Sequence, residues 1–150
     1  MALKLDDTDM QLLSLLGRDS KARMHVLSRR LSIPASTVHH RIKRLEQGGI
    51  IRSYGIKRDF RAMGIKLKAH VMVFIDVTML KRMKKSQKEL ARQIRRIEGV
   101  EAVDIITGDA DLIVTVRCHD IDDFQKFLLE HLQSIEGITE TKSMIVVAEE

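Results

Sequence analysis

The stretch MHVLSRRLSIPASTVHHRIKRLEQGG, residues 24–49, holds two apolar periodicities separated by the single proline of the chain. Proline lacks an amide N–H and has a fixed φ, so a helix accepts it only in its first turn. Pro34 therefore ends one element and starts the next. The spacing predicts a short helix over Met24–Leu31, with Val26, Leu27 and Leu31 inward. A second follows over Ala35–Gln47, with Val38, Ile42 and Leu45 on its inner face, stopped by Gly48-Gly49. Helix, short turn, helix is the helix-turn-helix arrangement.

Upstream, Asp6 is placed to cap a helix whose first turn carries Asp7 and Asp9. Leu12, Leu13, Leu15 and Leu16 supply its buried stripe and Gly17 its end. Downstream, Ile50–Asp59 alternates weakly and reads as a strand interrupted at Tyr54-Gly55. After Gly64 the pattern becomes strand (Leu67–Val77), helix (Lys81–Ile97), strand (Val100–Thr107), Gly108-Asp109-Ala110 loop, strand (Asp111–Cys118), helix (Ile121–Ile135) and strand (Ile138–Ala148). The inward residues of that last helix are read as Ile121, Phe124, Leu128, Leu132 and Ile135. This β-α-β-β-α-β order is ferredoxin-like. The fold class is therefore α+β: a winged-helix-like helix-turn-helix domain over residues 1–60 and a ferredoxin-like domain over 61–150.

In the strand Leu67–Val77 the alternate residues from Leu67 to Val77 share one face, and Met72 and Phe74 occupy the other. Helices cover one face of such a sheet, so a strand apolar on both calls for a cover on the second. The simplest cover is a second copy of the same sheet, which makes a homodimer the expected state.

Composition narrows the function classes. Of 150 residues, 44% are apolar and 31% charged, enough for a packed core and unlike a disordered chain. No apolar run approaches the ~20 residues of a membrane span, and MALKLDDTD is unlike a signal peptide, so a cytoplasmic protein is expected, with no membrane partner. The lone Cys118 excludes an internal disulfide and a multi-cysteine zinc site. Its neighbour His119 completes no nucleophile–base set, and a metal set from His119, Asp120 and Asp122 fits less well than a solvated turn capped by Asp120. No enzyme activity and no cofactor are expected.

The net charge of +5 is unevenly placed. Residues 18–58 hold 11 basic and 2 acidic residues, whereas residues 61–150 hold 14 and 15. A compact basic module suits a polyanion, above all double-stranded DNA. On the wheel of the helix Ala35–Gln47, Ser36, His40, Lys43 and Gln47 lie opposite the apolar face, flanked by His39 and Arg44, with Thr37 beside them. Its only acid is Glu46. These side chains can bond base edges or phosphates from a major groove. Ser36, Thr37, His39, His40, Lys43 and Arg44 are thus the candidate DNA-contacting residues. A basic surface helix without a ligand is the competing reading. Adjacent helix positions diverge by ~100°, which argues against His39-His40 as a metal pair. Arg41 borders the buried face, where an internal ion pair and a phosphate contact are equally open.

The spacing Leu5-Asp6-x-x-Asp9-x-x-Leu12-Leu13-x-x-Leu16, with Val38-x-x-Arg41-x-x-x-Leu45-x-x-x-Gly49-Ile50-Ile51, resembles the leucine-responsive regulator/asparagine regulator (Lrp/AsnC) family of bacterial and archaeal transcription factors. The likeness continues through Gly108-Asp109-Ala110-Asp111 and Gly137-Ile138-x-x-Thr141-x-Ser143-x-Ile145-Val146. Pro34 stands where that family usually has the capping Ser, and Ala110 where it often has an aromatic residue.

The resemblance implies a DNA-binding transcription regulator whose second domain dimerises, assembles to an octamer, and takes an amino-acid effector near the Gly-Asp loop, between dimers. Read alone, that loop is a hairpin turn. As an effector site it would offer backbone amides beside Gly108 and a carboxylate from Asp109 or Asp111, with Thr141 nearby. Asp111 is the stronger candidate, and its removal is expected to spare folding. The rival class is a nucleoid-type architectural DNA-binding protein without an effector. A further basic helix, carrying Lys81, Arg82, Lys84, Lys85, Lys88, Arg92, Arg95 and Arg96, reads as a solvated face or an auxiliary DNA surface.

Overall fold

A computed structural model describes residues 3–149. The chain forms two compact units, the first ending at Arg58 and the second beginning at Asp59.

The first unit is three helices, α1 (Asp7–Arg18), α2 (Met24–Leu31) and α3 (Ala35–Gln47). Asp6 caps α1 reciprocally with Asp9: each carboxylate accepts the other residue's amide, at 2.8 and 3.1 Å. The helix continues past Gly17 to Arg18 and is capped at Asp19. The turn between α2 and α3 is held by Ser28, whose hydroxyl donates to the Ile33 carbonyl at 2.6 Å. Ser32 takes the left-handed conformation there, φ 54°. Pro34 opens α3 with no side-chain cap, as its chemistry dictates. Leu12, Leu16, Leu27, Val38, Ile42 and Leu45 form the core. Each fully buried leucine contributes about 2 kcal/mol.

The strand expected over Ile50–Asp59 does not form. Alternation supplies side-chain pattern but not a hydrogen-bonding neighbour, and the segment pairs with no strand of the described residues. Side chains tie it down instead. Ser20 Oγ donates to the Gly55 carbonyl at 2.9 Å, and the Tyr54 hydroxyl donates to Glu46 at 2.7 Å.

The second unit is one antiparallel sheet in the order β2-β3-β1-β4, built from β1 (Leu67–Ile75), β2 (Val100–Ile105), β3 (Leu112–Cys118) and β4 (Ile138–Ile145). Helices α4 (Val77–Arg82), α5 (Gln87–Arg95) and α6 (Ile121–Lys126) complete it. This is the expected ferredoxin-like arrangement. Ala69, Val71, Val73 and Ile75 of β1 and Leu112, Val114, Val116 and Cys118 of β3 join the helices in a single core.

Three elements differ from expectation. β1 stops at Ile75 because Asp76 caps α4, accepting the Met79 amide at 2.9 Å; Val77 is thus exposed in a helix rather than buried in a strand. The helix expected over Lys81–Ile97 is two. Lys84 adopts φ 56°, and Ser86 and Glu89 form a capping box that starts α5 afresh. The helix expected over Ile121–Ile135 passes from α6 into a π-helical turn, Phe127–Leu132. The widened turn brings Phe127 into the core, and Leu128 packs against its edge. Ile121, expected inward, sits at the helix start and is 55% exposed.

Gly99 shows how closely β2 and β3 approach. It adopts φ +79°, and a Cβ there would lie 2.4 Å from the Arg117 carbonyl oxygen. The Gly99 carbonyl also accepts the Arg117 amide at 2.9 Å. Gly99→Ala therefore forces the strands apart and strains the backbone, and is expected to destabilise this unit by at least about 2 kcal/mol. Chemical denaturation of the variant checks this; an unchanged midpoint would contradict it.

Candidate nucleic-acid interface and effector site

The α3 helix is fixed from behind and open in front. Val38 and Leu45 are fully buried and Ile42 nearly so, which sets its rotation about its own axis. Ser36, His39, His40, Lys43 and Gln47 consequently project to solvent, and Thr37 is half-buried at the flank. Glu46, the one acid, accepts from Tyr54. Burial and that carboxylate push the Tyr54 hydroxyl up to about 12, so it remains a donor across the ordinary pH range. The outward row Ser36, His40, Lys43 is left with donors and one cation, a surface suited to acceptor-rich DNA edges and phosphates.

Two arginines of α3 serve the fold. Arg41 Nη1 donates to Asp6 and to Asp9, both at 2.7 Å, which resolves its open assignment toward an internal ion pair. Asp9 is fully buried and also accepts from Arg44. Arg44, a candidate DNA contact, is thus engaged through one Nη with Asp9, while its side chain remains 45% exposed. Asp9 is the residue that reading the sequence missed: a first-turn aspartate looks like a dipole partner, but here its carboxylate joins the start of α1 to the flank of α3. A second acid three residues after the capping Asp6, paired with arginines in a later helix, was the available signal.

In the second unit, Thr107, Gly108 and Asp109 are exposed at the loop after β2, and Ala110 is buried. Gly108 adopts φ +131° with open space where a Cβ would stand. The loop is closed by the Ile106 amide donating to the Asp111 carbonyl at 3.0 Å. Asp111 is half-buried and already occupied. Its Oδ2 accepts the Ile75 amide at 2.8 Å, where β1 and β4 slip in register, and Gln87 Nε2 lies 3.4 Å from Oδ1. The expectation that removing Asp111 spares folding is therefore corrected: alanine there strands the Ile75 amide and is expected to cost about 1–3 kcal/mol.

Thr141 pairs with Val73, the residue whose carbonyl accepts the Asp111 amide, so Thr141 and Asp111 flank the same point of β1. The Thr141 hydroxyl accepts from Gln133 at 2.7 Å. The structure thus brings Asp111 and Thr141 to one row of the sheet, with Gly108 and Asp109 at the exposed tip beyond.

The sheet face away from the helices carries Met72, Phe74 and Ile113, half-buried, with Lys142 Nζ 4.9 Å from the Phe74 ring centre. Cys118 is buried, and burial pushes its thiol up to about 11. His119 is bound to Asp123 at 2.8 Å. Among the described residues no helix is long and apolar enough to cross a membrane, and no His, Cys, Asp and Glu side chains cluster as a metal site.

Comparison with known proteins follows this division. Residues 5–52 match the winged helix-turn-helix DNA-binding family and residues 72–150 the Lrp/AsnC ligand binding domain. An HTH-type transcriptional regulator of Pyrococcus furiosus is 36% identical, over 97% of this chain and 94% of its own. One of Pyrococcus horikoshii is 33% identical, over 94% and 91%. A transcriptional regulator of Neisseria meningitidis, solved in complex with L-Met, superposes with a TM-score of 0.88 at 27% identity, covering 97% of this chain and 92% of that one. Escherichia coli AsnC, at 20% identity and a TM-score of 0.84, shares the fold. With a DNA-binding helix-turn-helix in its first unit and the family's ligand-binding domain in its second, the chain belongs to the Lrp/AsnC family of transcriptional regulators.

Proposed function

We propose that this regulator reads specific sites on double-stranded DNA with α3 in the major groove, acting as a homodimer that assembles further to an octamer. We take an amino acid as its effector, held by Gly108, Asp109, Asp111 and Thr141 at an oligomer interface. Its expected location is the cytoplasm, with the DNA. The observation that carries the DNA reading is the outward row Ser36, His40, Lys43 on a helix locked from behind, with its lone acid occupied by Tyr54. Two-fold pairing through the Met72, Phe74 and Ile113 face would present two such helices to half-sites about one helical turn apart.

His40→Ala tests base reading. Discrimination between sites is expected to relax by about 1–3 kcal/mol, measured as affinities across a panel of single-base site variants. Unchanged preferences across the panel would remove His40 from base recognition.

The effector reading is supported by the L-Met complex of the Neisseria meningitidis relative and by the open, positive-φ Gly108 beside two carboxylates. A zwitterion needs donors for its carboxylate and an acceptor for its ammonium in one small site. Asp111→Asn separates binding from folding, because the amide oxygen can still accept from Ile75. Its affinity for any amino acid that binds wild type is expected to fall roughly ten- to a hundredfold in calorimetry. Equal binding by the two proteins would place the site elsewhere.

A further inference from the structure

The second unit is strongly polarised. Residues 77–98 carry 8 basic and 2 acidic residues, while the rest of residues 61–150 carries 6 and 13. Leu90, Ala91 and Ile94 bury one side of α5. Lys88, Arg92 and Arg96 recur every fourth residue on the side opposite, spanning roughly 12 Å at a helical rise of 1.5 Å per residue. Lys81, Lys84 and Lys85 continue the exposed basic surface on α4 and the turn after it. None of these cations takes part in an ion pair among the described residues. Arg95 is the exception in kind, donating to the Val100 carbonyl. Glu89 is committed to the Ser86 cap.

We infer that the solvent face of α4 and α5 is a second DNA-binding surface, which holds phosphates of duplex flanking the site read by α3. The inference rests on the DNA-binding reading of the first unit. A row of cations on a regular spacing, opposed only in part by the charge of Glu89 near Arg92 and Lys85, complements a duplex, which presents one negative charge per about 1.7 Å of axis. The remainder of the unit is net acidic, which disfavours a polyanion there and favours this face. Every exposed residue of α5 is polar or charged. That disfavours a membrane surface, which also requires an apolar side. Because α3 delivers the same duplex, the second contact is intramolecular and gains from effective concentration.

The test uses the whole 150-residue chain and the triple variant Lys85→Gln, Lys88→Gln, Arg92→Gln, all exposed positions. Binding is measured over a range of salt concentrations on a duplex of one site alone and on one with long flanks. On the long duplex the triple variant is expected to bind roughly tenfold more weakly. Its log–log salt slope should be shallower by about 0.9 per lost contact and copy. On the short duplex the two proteins should agree within about twofold, since the site contacts are intact. Equal slopes and affinities on both duplexes overturn the inference, as does an equal loss on both, which would make the face part of the primary site. Loss confined to binding of phosphatidylserine vesicles overturns it in favour of a membrane. A wild-type chain that binds neither duplex fails the DNA reading itself, a result distinct from the others.

Discussion

Asp9→Ala is expected to destabilise the N-terminal unit by about 3 kcal/mol, the cost of breaking a buried ion pair from one side. Asp9 is fully buried and accepts from Arg41, Arg44 and the Asp6 amide. Among the described residues, Arg41 Nε is already a buried donor with no partner. Without Asp9 the guanidinium keeps only Asp6, and the flank of α3 comes loose from α1. Site affinity should fall with stability, because the outward row of α3 is oriented by that packing. Tyr54 is the only tyrosine, and the chain has no tryptophan, so its fluorescence reports unfolding of this unit specifically. A urea transition within about 1 kcal/mol of wild type would show that the network is dispensable. Acid should act on the same network. Arg41, together with the Asp9 amide, holds the Asp6 carboxyl below its ordinary value of 3.8. Its contribution is thus complete above that pH and is lost as the pH falls through the lower folded-state value.

Raising salt from about 50 to about 200 mM is expected to weaken duplex binding on the order of a thousandfold, the response to about six neutralised phosphates. The first unit has the cations for this: residues 18–58 hold 11, against 2 acids. Lys43→Ala should lower affinity for all sequences alike and make the salt slope shallower by about 0.9 per copy, if Lys43 meets phosphate. Arg44→Ala should cost stability as well as affinity, because its guanidinium also serves Asp9. Titrations followed by fluorescence anisotropy check both, and a salt-independent affinity would contradict the electrostatic account.

The helix-turn-helix was legible because local chemistry decides it: Pro34 fixes a helix start, Gly48-Gly49 a stop, and the apolar spacing a face. The strand pairing of the second unit was legible because period-2 runs were separated by turn residues. What stayed hidden depends on partners remote in sequence or on backbone exceptions. Ile50–Asp59 has the alternation of a strand but no neighbour to pair with. Lys84 turns left-handed inside a run of basic residues that reads as helix. The π-helical turn moves Phe127 inward without any change in composition. For the sites, the outward residues of α3 could be read from the wheel. The occupation of Asp111 by the Ile75 amide could not, because it follows from a register slip between β1 and β4.

That α3 reads sequence is tested most directly by selecting bound fragments from total genomic DNA with the purified chain. Discrete, pseudo-palindromic sites with half-sites about one helical turn apart are expected. Uniform recovery of all fragments would contradict it and establish an architectural DNA-binding protein instead.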